Sequence, residues 1–560
     1  MTKFKDMIYK RPDMDALLGA YAALCREAES ASSPEQLVNA IDRHETLYAS
    51  FQTQSCLSYI RHTIDTRDAF YEAEKDFFDE HTPEFEEAVN AFYDVLLTSP
   101  HRAGAESLCG KIFFDTVEVS RKCFSPEIVP LLKEENALLS RYQKLIASAR
   151  IPFDGQILNV SKLTSYKLSP DREVRKAALY AEGEFYLSVG EEIDEIYDQM
   201  VRVRTEIAHK LGYRSFTEVG YLRMKRTSYS REDVEAFRAA VRKHIVPAVC
   251  ELKKKQSEKN GIADMKMHDD LIIFPEGNAK PQGSASDILA AGREMYHRMS
   301  EETAEFVDFL YDSELLDVEA KDGKAVGGYC EMLADYKASF IFSNFNGTSG
   351  DVDVLTHEAG HAFADYMVRD LPYREIMNPT LEGCETHSMS MEFFAWRYLD
   401  LFYGEETDKA KYCHLAESFS FIPYGCIVDE FQHIMYDRPE LTKAQRHEVW
   451  EQLERTYRPY LDRTGVPFFG DGRGWQRQLH IFLHPFYYID YCLAQTESLV
   501  FWAESQEDYE AAFDKYMRFV NKGGTLPFRE LCECASIPDP FGEDALVRIA
   551  GSVSDWFAKR

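Results

Sequence analysis

The sequence predicts a mainly α-helical protein. It divides into an N-terminal helical lobe, residues 1–200, and a C-terminal lobe, residues 201–560, with a small β-sheet beside one central helix. Three observations carry this reading. Segments 15–31, 83–97, 171–211 and 231–259 place apolar residues at helical spacing with few internal breakers. Segments 261–286 and 317–328 are polar, with the turn-forming runs Gly277–Ser284 and Lys321–Gly323, and read as connections. Only 336–345, rich in Phe and Ile and partly alternating, reads as a strand. If it lay at a sheet edge, it could pair with an extended peptide by strand addition. No internal repeat is visible.

Composition narrows the classes. A chain of 560 residues has ample length for a large core, and a net charge of −31 argues against nucleic acid or anionic membranes as partners. The opening Met1-Thr2-Lys3-Phe4-Lys5-Asp6 lacks the apolar core of a secretory signal, and no run reaches the roughly 18 apolar residues of a membrane span. The 12 cysteines contain no C-x-x-C pair, which fits reduced thiols and a cytoplasmic location better than disulfides or a cysteine-ligated metal.

The most informative residues are His357-Glu358-Ala359-Gly360-His361, an H-E-x-x-H run. Ser349-Gly350-Asp351 offers cap-type residues, and Val352, Leu355, Ala359, Ala362, Phe363 and Tyr366 follow as an apolar helical stripe. Residues four apart on a helix share a face, so both imidazoles can reach one metal ion. Glu358, rotated off that face, is placed to hold and deprotonate a water. A zinc peptidase needs this arrangement.

A third ligand must come from elsewhere. The extended motif H-E-x-x-H-x-x-G-x-x-H is excluded, because Ala364 and Met367 stand where it needs Gly and His. A carboxylate from a following helix would complete a His2Glu set. Segment 380–399 carries Glu382, Glu385 and Glu392 near one helical face, and Glu375 is a further option between Pro372 and Pro379. Spacing alone does not choose among the four.

A second block, Trp475-Gln476-Arg477-Gln478-Leu479-His480-Ile481-Phe482 with Pro485-Phe486-Tyr487-Tyr488-Ile489-Asp490-Tyr491, supplies hydrogen-bond donors for charge that develops on a carbonyl oxygen. Tyr488 and Tyr491 can share a helix face, with His484 and Tyr487 nearby. Phe486 and Tyr487 read as core aromatics. Upstream, segment 462–474 holds Gly465, Gly470, Gly472 and Gly474 and reads as a mobile loop. It lacks the preceding strand and following Lys-Ser/Thr of a phosphate-binding loop.

Together, Asn346-Gly347-Thr348 through Phe363, then Glu385-Thr386-His387-Ser388 with Glu392, the second block above, and the opening Tyr9-Lys10-Arg11-Pro12-Asp13 resemble the oligoendopeptidase F and thimet oligopeptidase family, above all its bacterial oligoendopeptidase F and Pz-peptidase branch. The resemblance implies a two-lobed zincin-like metallopeptidase whose lobes enclose a deep substrate channel. It implies one Zn2+ per chain on His357, His361 and Glu385, with Glu392 orienting a ligand imidazole. Glu358 would be the general base, and His480, Tyr488 and Tyr491 the groups that position substrate and stabilise the transition state, with His484 a less well aligned alternative. The expected activity is cleavage of internal bonds in short oligopeptides through a zinc-activated water. Cobalt or manganese would also suit the ligand set. The alternatives are a metallocarboxypeptidase and an inactive peptide-binding helical scaffold.

Overall fold

The computed structural model describes residues 2–560. Helices dominate, and the described strands form only a two-stranded hairpin and a three-stranded sheet. The long periodic segments are helical where expected: Met14–Glu29, Arg172–Lys210, and Arg231–Ala240 continuing to Val246–Lys259. Between the last two, Val241–Ile245 is a π-turn; Pro247 lacks the N–H that a regular helical ladder would use there. The segment expected to begin at Pro83 instead starts at Ala69, and Pro83 lies inside the helix Ala69–Thr98.

The chain forms two compact units, each assembled from three segments. The first comprises Met1–Arg121, Lys280–Thr407 and Glu504–Ile537, and the second comprises Lys122–Ala279, Asp408–Ala503 and Pro538–Arg560. These differ from the division at 200/201 expected from sequence. That position falls within the unbroken helix Arg172–Lys210, where a continuous hydrogen-bond ladder leaves no room for a linker.

In the first unit, helices Met14–Glu29, Pro34–Ile64 and Ala69–Thr98 pack around Leu24, Leu37, Ile41, Phe51, Phe85 and Phe92. Asp13, Ser33 and Asp68 cap their N-termini with side-chain hydrogen bonds. The opening Tyr9-Lys10-Arg11-Pro12-Asp13 run has a structural role here: Tyr9 and Arg11 both bind the buried Glu74.

The sheet of the first unit has Ala338–Phe345 at its centre, parallel to Leu316–Glu319 and antiparallel to Tyr329–Leu333. The strand expected from sequence is therefore present, but it is not an edge. It is hydrogen-bonded on both sides and buried almost throughout, so it has no free ladder to offer a peptide. The helix Gly350–Val368 packs on this sheet, fastened by Ser339 Oγ donating to Asp365 Oδ2 at 2.6 Å.

In the second unit, segment 462–474 is tightly packed. A Cβ on Gly470 would lie 2.6 Å from the Arg463 carbonyl oxygen, and one on Gly472 would lie 2.3 Å from that of His447. A Cβ on Gly474 would lie 2.8 Å from the Trp450 ring nitrogen. The glycines there serve close approach of backbone and ring.

Candidate active site

The helix Gly350–Val368 is anchored from its first turn. Asp351 accepts hydrogen bonds from the backbone N–H groups of Asn346 and Gly347, at 2.9 and 2.7 Å, and so fixes the turn between strand and helix. Ser349 makes no side-chain cap. The helix presents His357 and His361 together, their rings 5.0 Å apart and nearly perpendicular.

The following helix, Leu381–Phe394, lies against it because Gly360 leaves the space. A Cβ there would sit 2.7 Å from the Ser388 Cα. This contact brings Glu385 Oε2 to 3.4 Å from His357 Nε2 and 3.7 Å from His361 Nε2. On its other nitrogen, His357 Nδ1 lies 2.7 Å from Glu392 Oε1. Two ligands about 2.05 Å from a tetrahedral metal stand roughly 3.3 Å apart, so the set is near the size a zinc ion requires. All three donor atoms lie within 4.8 Å of one another.

Of the four carboxylates left open by spacing, the structure brings Glu385 to the histidines and Glu392 behind one of them. Glu382 accepts from Thr380 Oγ1 at 2.5 Å and is buried in its own helix turn. Glu375 is buried at a distance from the motif, accepting from Tyr93 Oη at 2.5 Å beside Arg374 and close to His44 and Glu45. His387, close in sequence, lies outside this donor set; burial pushes its imidazole down to about 3, and its carbonyl accepts from Tyr516 Oη.

Burial also pushes the Glu358 carboxyl up to about 6, and the charges of Glu385 and Glu392 add to the shift against the opposing effect of His357. A carboxyl in that range can take and return a proton near neutral pH. It lies beside the start of the edge strand Tyr329–Leu333: a Cβ on Gly328 would be 4.0 Å from Glu358 Oε1.

The second unit gathers the other expected residues. His480, on the short helix Leu479–Leu483, has its ring 4.9 Å from Tyr488 and 5.7 Å from Tyr491, and the two tyrosine rings are 5.5 Å apart. Tyr487 belongs to this cluster, 4.8 Å from Tyr491, whereas Phe486 is fully buried core. His484 lies 6.2 Å from His480 on the exposed side. Sequence reasoning missed Gln478 and Tyr424: Gln478 Nε2 pairs with His480 Nδ1 at 3.0 Å, and Tyr424 Oη donates to Gln478 Oε1 at 2.6 Å. The first could have been suspected from its place two residues before His480; the second, on another helix, gave no signal.

A helical fold and an H-E-x-x-H helix with a glutamate of the next helix beside both histidines mark a metallopeptidase of the zincin-like class. Residues 4–124 match the peptidase M3 N-terminal domain and residues 165–550 match peptidase family M3. The chain belongs to peptidase family M3. Among solved structures it is similar to Pz peptidase A with an inhibitor, at 44% identity and TM-score 0.95, over 100% of this chain and 99% of that one. A protein designated oligoendopeptidase F from Bacillus anthracis str. Ames is similar at 40% identity and TM-score 0.90, again over 100% and 99%. Oligoendopeptidase F of Lactococcus lactis subsp. cremoris is 28% identical over 237 residues; the match spans 40% of this chain and 38% of that protein.

Proposed function

We propose that this protein is a zinc-dependent endopeptidase that hydrolyses internal bonds of short oligopeptides, with one Zn2+ per chain on His357, His361 and Glu385. The observation that carries the reading is the convergence of His357 Nε2, His361 Nε2 and Glu385 Oε2 beside the half-buried carboxyl of Glu358. Two imidazoles and one carboxylate, with an imidazole steadied from behind by Glu392, match the donor chemistry zinc prefers. Zinc held there supplies Lewis acidity to a water and to the scissile carbonyl.

The chain's own groups do the rest. Glu358 takes a proton from the attacking water and later delivers it to the leaving amide nitrogen. His480, Tyr488 and Tyr491 are assigned the hydrogen bonds that orient substrate and stabilise the oxyanion; loss of one such donor typically costs about 3 kcal/mol of transition-state stabilisation. Their support is the family resemblance and their close mutual packing. The 12 free cysteines support a reducing, cytoplasmic setting, and among the described residues no helix is long and apolar enough to cross a membrane.

The test is cleavage of an internally quenched peptide of about ten residues, blocked at both ends, by wild type and Glu358→Gln, each confirmed to hold zinc. The expected result is internal cleavage by the wild type, reduced about 10²- to 10⁴-fold in the variant. Equal rates would assign the base elsewhere. Cleavage only of peptides with a free C-terminus would mean a carboxypeptidase, and tight binding without turnover would mean a scaffold.

A further inference from the structure

Between the helix that carries His480 and the helix Tyr488–Ser505, the chain makes a non-helical step through Phe486, whose φ is +70°. A bulky residue rarely adopts this left-handed conformation, and it persists where surrounding contacts impose it. Every part of Phe486 is held. Its N–H donates to Gln432 Oε1 at 3.0 Å, and its carbonyl accepts from Arg226 Nη2 at 2.5 Å. Its ring, with no solvent exposure, fills the space left by Gly220, where a Cβ would lie 2.3 Å from a ring carbon.

The same Arg226 Nη2 donates to Asp490 Oδ1 at 2.6 Å, in the first turn of the tyrosine helix, and neither side chain of this pair is exposed. Tyr229 Oη donates to the same oxygen at 3.2 Å. One guanidinium thus ties the strained step to the helix that follows it. His480 lies before that step; Tyr488 and Tyr491 lie after it, on either side of Asp490.

We propose that Arg226 is a positioning residue for Tyr488 and Tyr491: by holding the Phe486 carbonyl and the Asp490 carboxylate together it sets where the two phenols stand relative to His480. A guanidinium suits this task because the two N–H bonds of Nη2 are fixed in one plane, one for each acceptor, whereas an ammonium rotates on a flexible stem. The inference rests on the transition-state role proposed above for the tyrosines.

The test measures kcat and KM on the quenched peptide for zinc-loaded wild type, Arg226→Met, Arg226→Lys, Tyr488→Phe/Tyr491→Phe, and the triple variant that adds Arg226→Met to the tyrosine pair. Arg226→Met should lower kcat between about tenfold and about a hundredfold while KM changes less than about twofold, with zinc content unchanged. Arg226→Lys should recover part of the loss. In the tyrosine-less background Arg226→Met should cost much less, because the groups it positions are gone. A full additive loss there, or a KM effect with kcat intact, overturns the positioning role. Wild-type kcat in Tyr488→Phe/Tyr491→Phe overturns the tyrosine reading itself and the inference with it. Should Arg226→Met fail to fold, Asp490→Asn serves in the same cycle, since it keeps the shape of the acceptor but removes the charge through which Arg226 holds the tyrosine helix.

Discussion

Glu392 offers the sharpest test of how the metal site is built. Its Oε1 lies 2.7 Å from His357 Nδ1, the nitrogen that faces away from Glu385, in a pair whose side chains are 23% and 15% exposed. A hydrogen bond to an ionised carboxylate in such a setting is worth about 1.5–3 kcal/mol. Removing it by Glu392→Ala frees the ring to rotate and lowers the basicity of Nε2. The expected loss of zinc affinity is therefore about 10- to 100-fold, the range seen for partners of ligand histidines. Glu392→Gln keeps an acceptor but not the charge, and a neutral hydrogen bond is about half as strong, so a loss of roughly three- to tenfold is expected. Zinc occupancy followed against a competing chelator, with peptidase activity measured at each point, reads both numbers. At saturating zinc, activity should return in both variants. If Glu392→Ala holds zinc as tightly as wild type, the carboxylate does not orient the ligand. If Glu392→Gln is as damaging as Glu392→Ala, charge rather than hydrogen bonding is what matters.

Two further outcomes follow from packing and burial. Gly360→Ala would place a methyl 2.7 Å from the Ser388 Cα and 3.1 Å from Met391 Cβ, so the helix bearing Glu385 must shift. A destabilisation of about 1–3 kcal/mol and reduced zinc occupancy are expected, and unchanged melting with full zinc would refute the close-approach argument. Glu45 is raised by burial and then by the Glu375 charge, while Glu375 is held ionised, against its own burial, by Arg374. A carboxyl whose folded value is raised contributes stability fully present below its unfolded range near about 4.3 and lost as pH rises through the folded value. Wild type should therefore lose stability on going from pH 5 to pH 9 relative to Glu45→Gln, by more than about 1 °C in Tm measured by calorimetry. Parallel pH profiles would show that Glu45 is not held neutral.

The sequence made the helical framework and the metal motif legible because both depend on local spacing. Apolar periodicity marks 171–211 to within a residue of Arg172–Lys210, and the four-residue spacing of His357 and His361 places both on one helix face. The helix start at Ala69 is masked by Pro83, since proline is common at a first helical turn and so imitates a start there. Which of Glu375, Glu382, Glu385 and Glu392 lies beside the histidines depends on tertiary contacts that spacing does not encode. Glu375 is drawn away by Tyr93 and Arg374, and Glu382 is occupied by Thr380. The rank of a strand within its sheet is equally invisible, because the partners of Ala338–Phe345 come from short segments that carry little periodicity of their own.

The least legible residues are also those that set the distances on which the chemistry depends. Gly360 contributes no side chain, yet its missing Cβ decides how near Glu385 comes to the histidines. Phe486 looks from sequence like one more aromatic in a core helix, yet its left-handed backbone separates the His480 helix from the tyrosine helix. Ligand and donor residues announce themselves through the reactivity of their side chains. Residues that fix spacing act through backbone approach and are compatible with many sequences elsewhere in the chain. Conservative changes at Gly360 or Phe486 should therefore damage function more than their modest chemistry suggests, through metal occupancy at the first and kcat at the second.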